Sequence, residues 1–136
     1  MIEYRPFALA DMLDWDLRFP NKELVEKAFG TLAQQGGRWL AVYLDGEPLF
    51  AAGMLGDAKE AQVCFAVTTL ADRHPKTFHA AVRNLWRTHG KHVKKLSALV
   101  RKEHATGLRW AARFGFRPVE EIEFMGDSYM RVERWS

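Results

Sequence analysis

The chain has 136 residues and is 48% hydrophobic, enough apolar material for one real core and too little length for two, so residues 1–136 read as a single domain. A lone cysteine, Cys64, excludes an internal disulfide framework and a cysteine-based zinc site. The 20 basic and 17 acidic residues leave a surplus of only +3, which on its own does not point to a nucleic-acid partner.

The chain opens with an alternating segment, Ile2 to Phe7, that reads as a short strand, without the basic flank and long apolar run of an export signal. No stretch approaches the roughly 18 apolar residues that a membrane span needs, so a soluble, cytoplasmic protein is expected. Leu9, Met12, Leu13 and Leu17 around Asp11 have helical spacing. After Phe19-Pro20, Asn21 can cap a second helix that carries Leu24, Val25, Ala28, Phe29, Leu32 and Ala33 on one face and stops at Gly36-Gly37. Trp39 to Leu44 and Pro48 to Leu55, joined through Asp45-Gly46, form a hairpin signal. Ala61 to Thr69 is apolar on both faces, as a central buried strand is, and Pro75 opens a third helix bearing Phe78, Ala81, Val82, Leu85 and Trp86 before Gly90. Leu96 to Arg101 reads as a strand, Ala105 to Phe114 as a helix closed by Gly115, and Val119 to Trp135 as two short strands joined at Gly126-Asp127.

The order β-α-α-β-β-β-α-β-α-β-β is a mixed α/β order that alternates too loosely for a doubly wound sheet. Charge is unevenly spread along it. Arg83, Arg87, Lys91, Lys94, Lys95, Arg101 and Lys102 follow one another with no acidic residue between them, while Glu120, Glu121, Glu123 and Asp127 crowd the tail. The basic stretch is either a solvated face or a surface for phosphate or an acidic partner. Trp86 is the one aromatic residue interleaved with these charges, which is not the pattern of a nucleic-acid surface.

Three features carry a family resemblance: Arg5-Pro6 in the first strand, the Asp45-Gly46 hairpin, and the late segment His104-Ala-Thr-Gly-Leu-Arg-Trp-Ala-Ala-Arg-Phe-Gly115-Phe116-Arg117-Pro118-Val119. Over nearly its whole length the chain resembles the GCN5-related N-acetyltransferases (GNAT), whose late helix follows the pattern Asn-x-x-Ala-x-x-Leu-Tyr-x-x-x-Gly-Phe. The resemblance implies the mixed-sheet acyltransferase fold, acetyl-CoA or coenzyme A as cofactor, and transfer of an acyl group to an amine.

Two departures from the family pattern touch the chemistry. The family's pyrophosphate loop, Arg/Gln-x-x-Gly-x-Gly/Ala, offers backbone amides at a helix N-terminus to phosphate. Here the matching stretch, Thr68 to Phe78, contains no glycine, and Pro75 removes one donor. The resemblance places cofactor contacts at Val67, Thr68, Thr69, Arg73, His74, Lys76, Thr77 and Phe78, with the three cations compensating for missing amides. The second departure is at the tyrosine that in many members protonates the departing thiolate, where this chain has Ala111. His104, seven residues before it, can act as acid or base or simply begin a helix. The family's general base is often a carboxylate near the central strands, which makes Glu60 the candidate, with Glu3 and Glu47 weaker ones. Cys64, in mid-strand, reads as a small buried hydrophobe rather than a nucleophile.

More narrowly, Thr-Thr-x-x-x-x-His-Pro-x-x-Phe followed by a Leu-Arg-Trp helix ending in Gly-Phe resembles small acetyltransferase-like proteins of T7-like bacteriophages. That likeness implies action in the cytoplasm of a bacterial host. Two functions then stand beside acyl transfer. One is a non-catalytic phage protein that binds a host enzyme or virion component through the basic stretch or through exposed Trp15, Trp39 or Trp135. The other is nucleic-acid binding by the basic stretch.

Overall fold

The computed structural model describes residues 1–7, 9–17, 38–124 and 126–135. The helix expected from Asn21 to Gly36 lies outside the described residues.

Strand β1 (Ile2–Pro6) leads into a 3-10 turn, Leu9–Asp14, where a regular helix was expected. Its charges explain the shortfall: no basic residue stands in the last turn, and Asp14 with Asp16 sets negative charge where the helix dipole is already negative. Strands β2 (Arg38–Leu44) and β3 (Glu47–Gly56) form the expected hairpin, with Asp45 and Gly46 both at positive φ (51° and 82°), as the tight turn between twisted strands demands.

Strand β4 (Glu60–Val67) stops two residues earlier than its apolar run, because Thr68 turns back. Its hydroxyl donates to the carbonyls of Pro48 (2.8 Å) and Leu49 (2.9 Å), and its amide donates to Leu49 as well. A single turn, α1 (Leu70–Arg73), precedes α2 (Pro75–Leu85), which begins at the expected proline and continues into a π-helical turn, Trp86–Gly90. Strand β5 (Lys95–Arg101), helix α3 (Ala105–Arg113), and strands β6 (Arg117–Phe124) and β7 (Asp127–Trp135) complete the chain.

Helix α3 ends as its sequence predicts. Gly115 has φ +91°, its amide donates to Ala112, and the Phe116 amide reaches back to Ala111 (2.9 Å), the paired bonds of a glycine-terminated helix. Phe116 is thereby turned onto the sheet, buried against Trp86.

The seven strands form one sheet in the order β1-β2-β3-β4-β5-β7-β6. Only β4 and β5 run parallel. One face is covered by α2 and α3: Val42, Phe50 and Val67 meet Phe78, Ala81 and Val82, while Ala61, Leu96 and Val132 meet Leu108, Ala111 and Phe116. On the opposite face Ala41, Ala51 and Ala66 pack against Met12, Trp15 and Leu17. Trp15 is therefore a core residue, 4% exposed, and not the surface aromatic expected; its indole meets Phe7 and Tyr43. Trp39 is half-buried, and only Trp135 of the three is openly exposed.

Candidate active site

The parallel pair β4 and β5 is joined over three positions only, Glu60↔Lys95, Ala61↔Leu96 and Gln62↔Ser97. Beyond Gln62 the ladder ends, although β4 runs on to Val67 and β5 to Arg101. The two strands part in a V whose inner edges carry backbone groups that the β4–β5 ladder leaves without a cross-strand partner among the described residues, an unusual concession in mid-sheet. At 3.3 Å per residue the β4 arm from Gln62 to Val67 is roughly 16 Å long.

At the open end lies the segment read as the phosphate loop. Arg73, His74 and Lys76 are exposed there, at the start of α2. The amides that a phosphate would seek are largely engaged: that of Thr69 donates to Asp16, Ala71 to Thr68, Asp72 to Thr69 and His74 to Ala71. Lacking glycine, the stretch folds as a helical turn and not as a cradle of outward-facing amides. Thr68 and Phe78 are buried, the latter against Phe50 and Trp110, so their side chains belong to the core. Thr69 is held by its hydroxyl to Asp16 (2.7 Å). Val67 faces the α2 cluster and Thr77 is half-buried.

His104 sits at this same open end, just before α3, with its ring over Gly107 and 6.0 Å from that of Trp110. A β-carbon at position 107 would lie 2.3 Å from His104 Nδ1, so the space left by that glycine is what seats the imidazole. Glu60 is elsewhere. It pairs with Lys95 at the closed end of the V, and the six steps of β5 from Lys95 to Arg101 span roughly 20 Å. The two candidate catalytic groups therefore do not share a site. Glu3, bonded to Arg5 on the edge strand (2.7 Å), and Glu47, beside the hairpin turn, are also remote from it.

At the vertex, on the face away from α2 and α3, a cleft of about 380 Å³ is lined by Glu60, Gln62, Ser97, Leu99, Ile122 and Arg131 among others. An ion chain runs beside it. Lys95 Nζ bridges Glu60 (3.4 Å) and Glu133 (3.0 Å), and Arg131 reaches both Glu133 (3.5 Å) and Glu120 (3.0 Å). Lys95, Arg131 and Glu133 are additions to the expected residues. Their only sequence signal is the period-two alternation of β5 and β7, which fixes a face once the register is known.

That register also divides the basic stretch. Lys95 is bound to Glu60 and Glu133, Arg101 to Asp127 and Lys102 to Glu121, whereas Arg83, Arg87, Lys91 and Lys94 are exposed and make no ion pair among the described residues. Cys64 packs beside the Ala51–Ala66 layer, and burial pushes its thiol up to about 12, so it remains a thiol at neutral pH.

Between α2 and α3, His79 is enclosed by Phe78, Trp110 and Phe114, with ring centroids 5.6, 6.1 and 5.1 Å away, and its Nδ1 finds no hydrogen-bond partner among the described residues. Desolvation, with Arg113 and Arg83 nearby, lowers its pKa below the ordinary value. The unfolded chain then binds a proton near pH 6.5 that the folded chain does not, so stability is expected to fall as pH drops below about 6.5 and to level off below the folded pKa. Thermal melts between pH 8 and 5 should show this loss in the wild type and a smaller one in His79→Leu; equal slopes would remove His79 from the account.

No family model matches the sequence, and no curated protein is significantly similar to it. Solved structures are. An acetyltransferase from Bacillus cereus described as acting on IAA aligns over 100% of both chains with a TM-score of 0.69 at 14% identity. The chain has the GNAT acetyltransferase fold. A GNAT acetyltransferase from Elizabethkingia anophelis with acetyl-CoA bound aligns over 99% of this chain and 98% of its own (TM-score 0.68, 15% identity). The aminoglycoside acetyltransferase AAC(6')-Ib in complex with coenzyme A aligns over 99% and 95% (TM-score 0.65, 16% identity). Identities this low establish the GNAT fold and leave the chemistry to the residues themselves.

Proposed function

We propose that this GNAT-fold chain is a coenzyme A-dependent N-acyltransferase. The observation that carries the reading is the V between β4 and β5, with exposed cations at its open end and a carboxylate beside a cleft at its vertex. Coenzyme A fits these residues: its amide-bearing arm suits a parted strand edge with unpaired backbone groups, and its phosphates suit Arg73, His74 and Lys76. When bound, it supplies an acyl group activated as a thioester.

The chain's own residues do the rest. The β4 edge from Val63 to Val67 would align the arm, and Arg73 and Lys76, with His74 between them, would hold the phosphates in place of the missing amides. Glu60 accepts the proton that an attacking amine must lose. With Ala111 where the family pattern has tyrosine, this chain would offer no side-chain acid at that position, and positioning of the reactants would be the main source of rate.

A second reading rests on the loop amides already spent on backbone carbonyls and on the surface of Arg83, Arg87, Lys91 and Lys94, which makes no ion pair among the described residues. In it the GNAT fold is a scaffold that binds an acidic host or phage protein. For either reading the sequence resemblance supports a phage-encoded protein at work in the bacterial cytoplasm.

Calorimetric titration with acetyl-CoA and with free coenzyme A separates the two. The enzyme reading expects saturable binding, weakened at least about tenfold in Arg73→Ala/Lys76→Ala, equivalent to about 1.4 kcal/mol. It also expects marked weakening by salt, since exposed charges are screened. Absence of heat at saturating ligand, in a folded protein, would leave the scaffold reading standing.

A further inference from the structure

Strand β1 is an outer edge of the sheet, and between it and α2 lies a second groove, of about 400 Å³, lined by Ile2, Tyr4, Lys76, Thr77, Ala80 and Ala81. That is the size of a small-molecule site. The register sets Tyr4 opposite Val42, on the sheet face that α2 covers, yet Tyr4 is 39% exposed and its ring meets no other ring or cation among the described residues. Asn84 of α2 donates to its hydroxyl (3.0 Å) and so fixes one end of the ring. An aromatic ring held at its edge with its face uncovered is a platform on which a planar base stacks.

Small side chains keep the groove open: Ala80, exposed, and Ala81, buried, are the residues that α2 contributes beyond its first turn. Its lining has one cation, Lys76, and no carboxylate. Lys76 also belongs to the exposed basic group at the start of α2, so groove and phosphate end are continuous. The sheet order puts β2 and β3 between the groove and the V, which places the two on either side of α2. From Lys76 to Asn84 the helix rises roughly 12 Å, room for a base and its sugar.

Building on the acyltransferase reading, we propose that this groove is the nucleoside site for coenzyme A. Arg73 and Lys76 hold the pyrophosphate at the start of α2, the V takes the arm on one side of the helix, and Tyr4 stacks the adenine on the other. A ligand gripped on both flanks of α2 depends less on the loop amides, which are engaged with backbone carbonyls.

The test titrates the full chain calorimetrically with coenzyme A and with phosphopantetheine, which lacks the nucleoside. Ala80→Leu fills the groove from an exposed helix position where leucine is well tolerated. It is expected to weaken coenzyme A binding at least about tenfold and to leave phosphopantetheine binding unchanged. Tyr4→Leu removes the platform and should act in the same way, while Ala80→Ser, which keeps the groove open, should bind coenzyme A like wild type. Equal coenzyme A affinity in wild type, Ala80→Leu and Tyr4→Leu, or an equal loss for phosphopantetheine, would overturn the assignment. Binding that needs Arg73 and Lys76 but ignores Ala80→Leu and Tyr4→Leu removes this site alone; no coenzyme A binding by wild type removes the cofactor reading along with it.

Discussion

Glu60→Gln is expected to lower the rate of acyl transfer by about 10²- to 10⁴-fold, the usual contribution of a positioned proton acceptor. Coenzyme A affinity should stay unchanged, because the seven steps of β4 from Glu60 to Val67 put the phosphate end of the V roughly 23 Å of strand away. Glutamine keeps the size and the cleft-lining position of Glu60 and removes only its capacity to take a proton. The companion variant is His104→Ala. At the other end of β5 its imidazole cannot reach an amine in the vertex cleft, and its loss should leave kcat near wild type while lowering thermal stability through the exposed space over Gly107. Thiol release from acetyl-CoA, followed over a panel of primary amines, reads both variants. The reverse pattern, with His104 essential and Glu60 dispensable, would move the chemistry to the open end.

Much of this fold could be read from the chain because its signals are local. The Asp45-Gly46 turn, the proline that opens α2 and the glycine that closes α3 each fix a boundary by backbone sterics alone, and the structure places all three as expected. The early failures have local physics too. The first helix shrinks to a 3-10 turn under the acidic residues at its end, and β4 gives up Thr68 to a pair of side-chain hydrogen bonds with the β3 backbone.

The site was legible only in part, because it depends on register. Glu60 could be named as a carboxylate at the head of a central strand, but nothing in the sequence says that Lys95 stands opposite it or that Glu133 lies on the same face two strands away. Likewise the basic stretch looks uniform until β5 turns Lys95 and Arg101, and the residue after it, Lys102, toward acidic partners and Arg83, Arg87, Lys91 and Lys94 are left without them among the described residues. The separation of Glu60 from His104 is invisible without the parallel pairing of β4 and β5, since spacing along the chain says nothing about opposite ends of a strand.

The position of the phosphate-facing end depends in turn on one aromatic stack, and its disruption should have the largest effect on stability. Phe50→Ala is expected to cost about 3–5 kcal/mol, lowering the melting temperature by about 10–20 °C for a domain of this size. Phe50 is fully buried on β3, paired with Val42 and Val67 across the sheet, and its ring lies 5.2 Å from that of Phe78 and 5.9 Å from that of Phe65. Phe78 continues the stack to Trp110 at 4.5 Å, so this chain of rings joins β3 to α2 and α2 to α3. Truncation removes the ring that seats the first turn of α2, the turn that carries Lys76 and follows Arg73 and His74. Phe50→Leu, which keeps most of the buried volume, should cost less than half as much. Denaturant titration of both variants, with coenzyme A affinity measured well below their midpoints, tests the link: if Phe50→Ala destabilises the fold yet binds coenzyme A as tightly as Phe50→Leu, the stack supports the core without positioning the phosphate end.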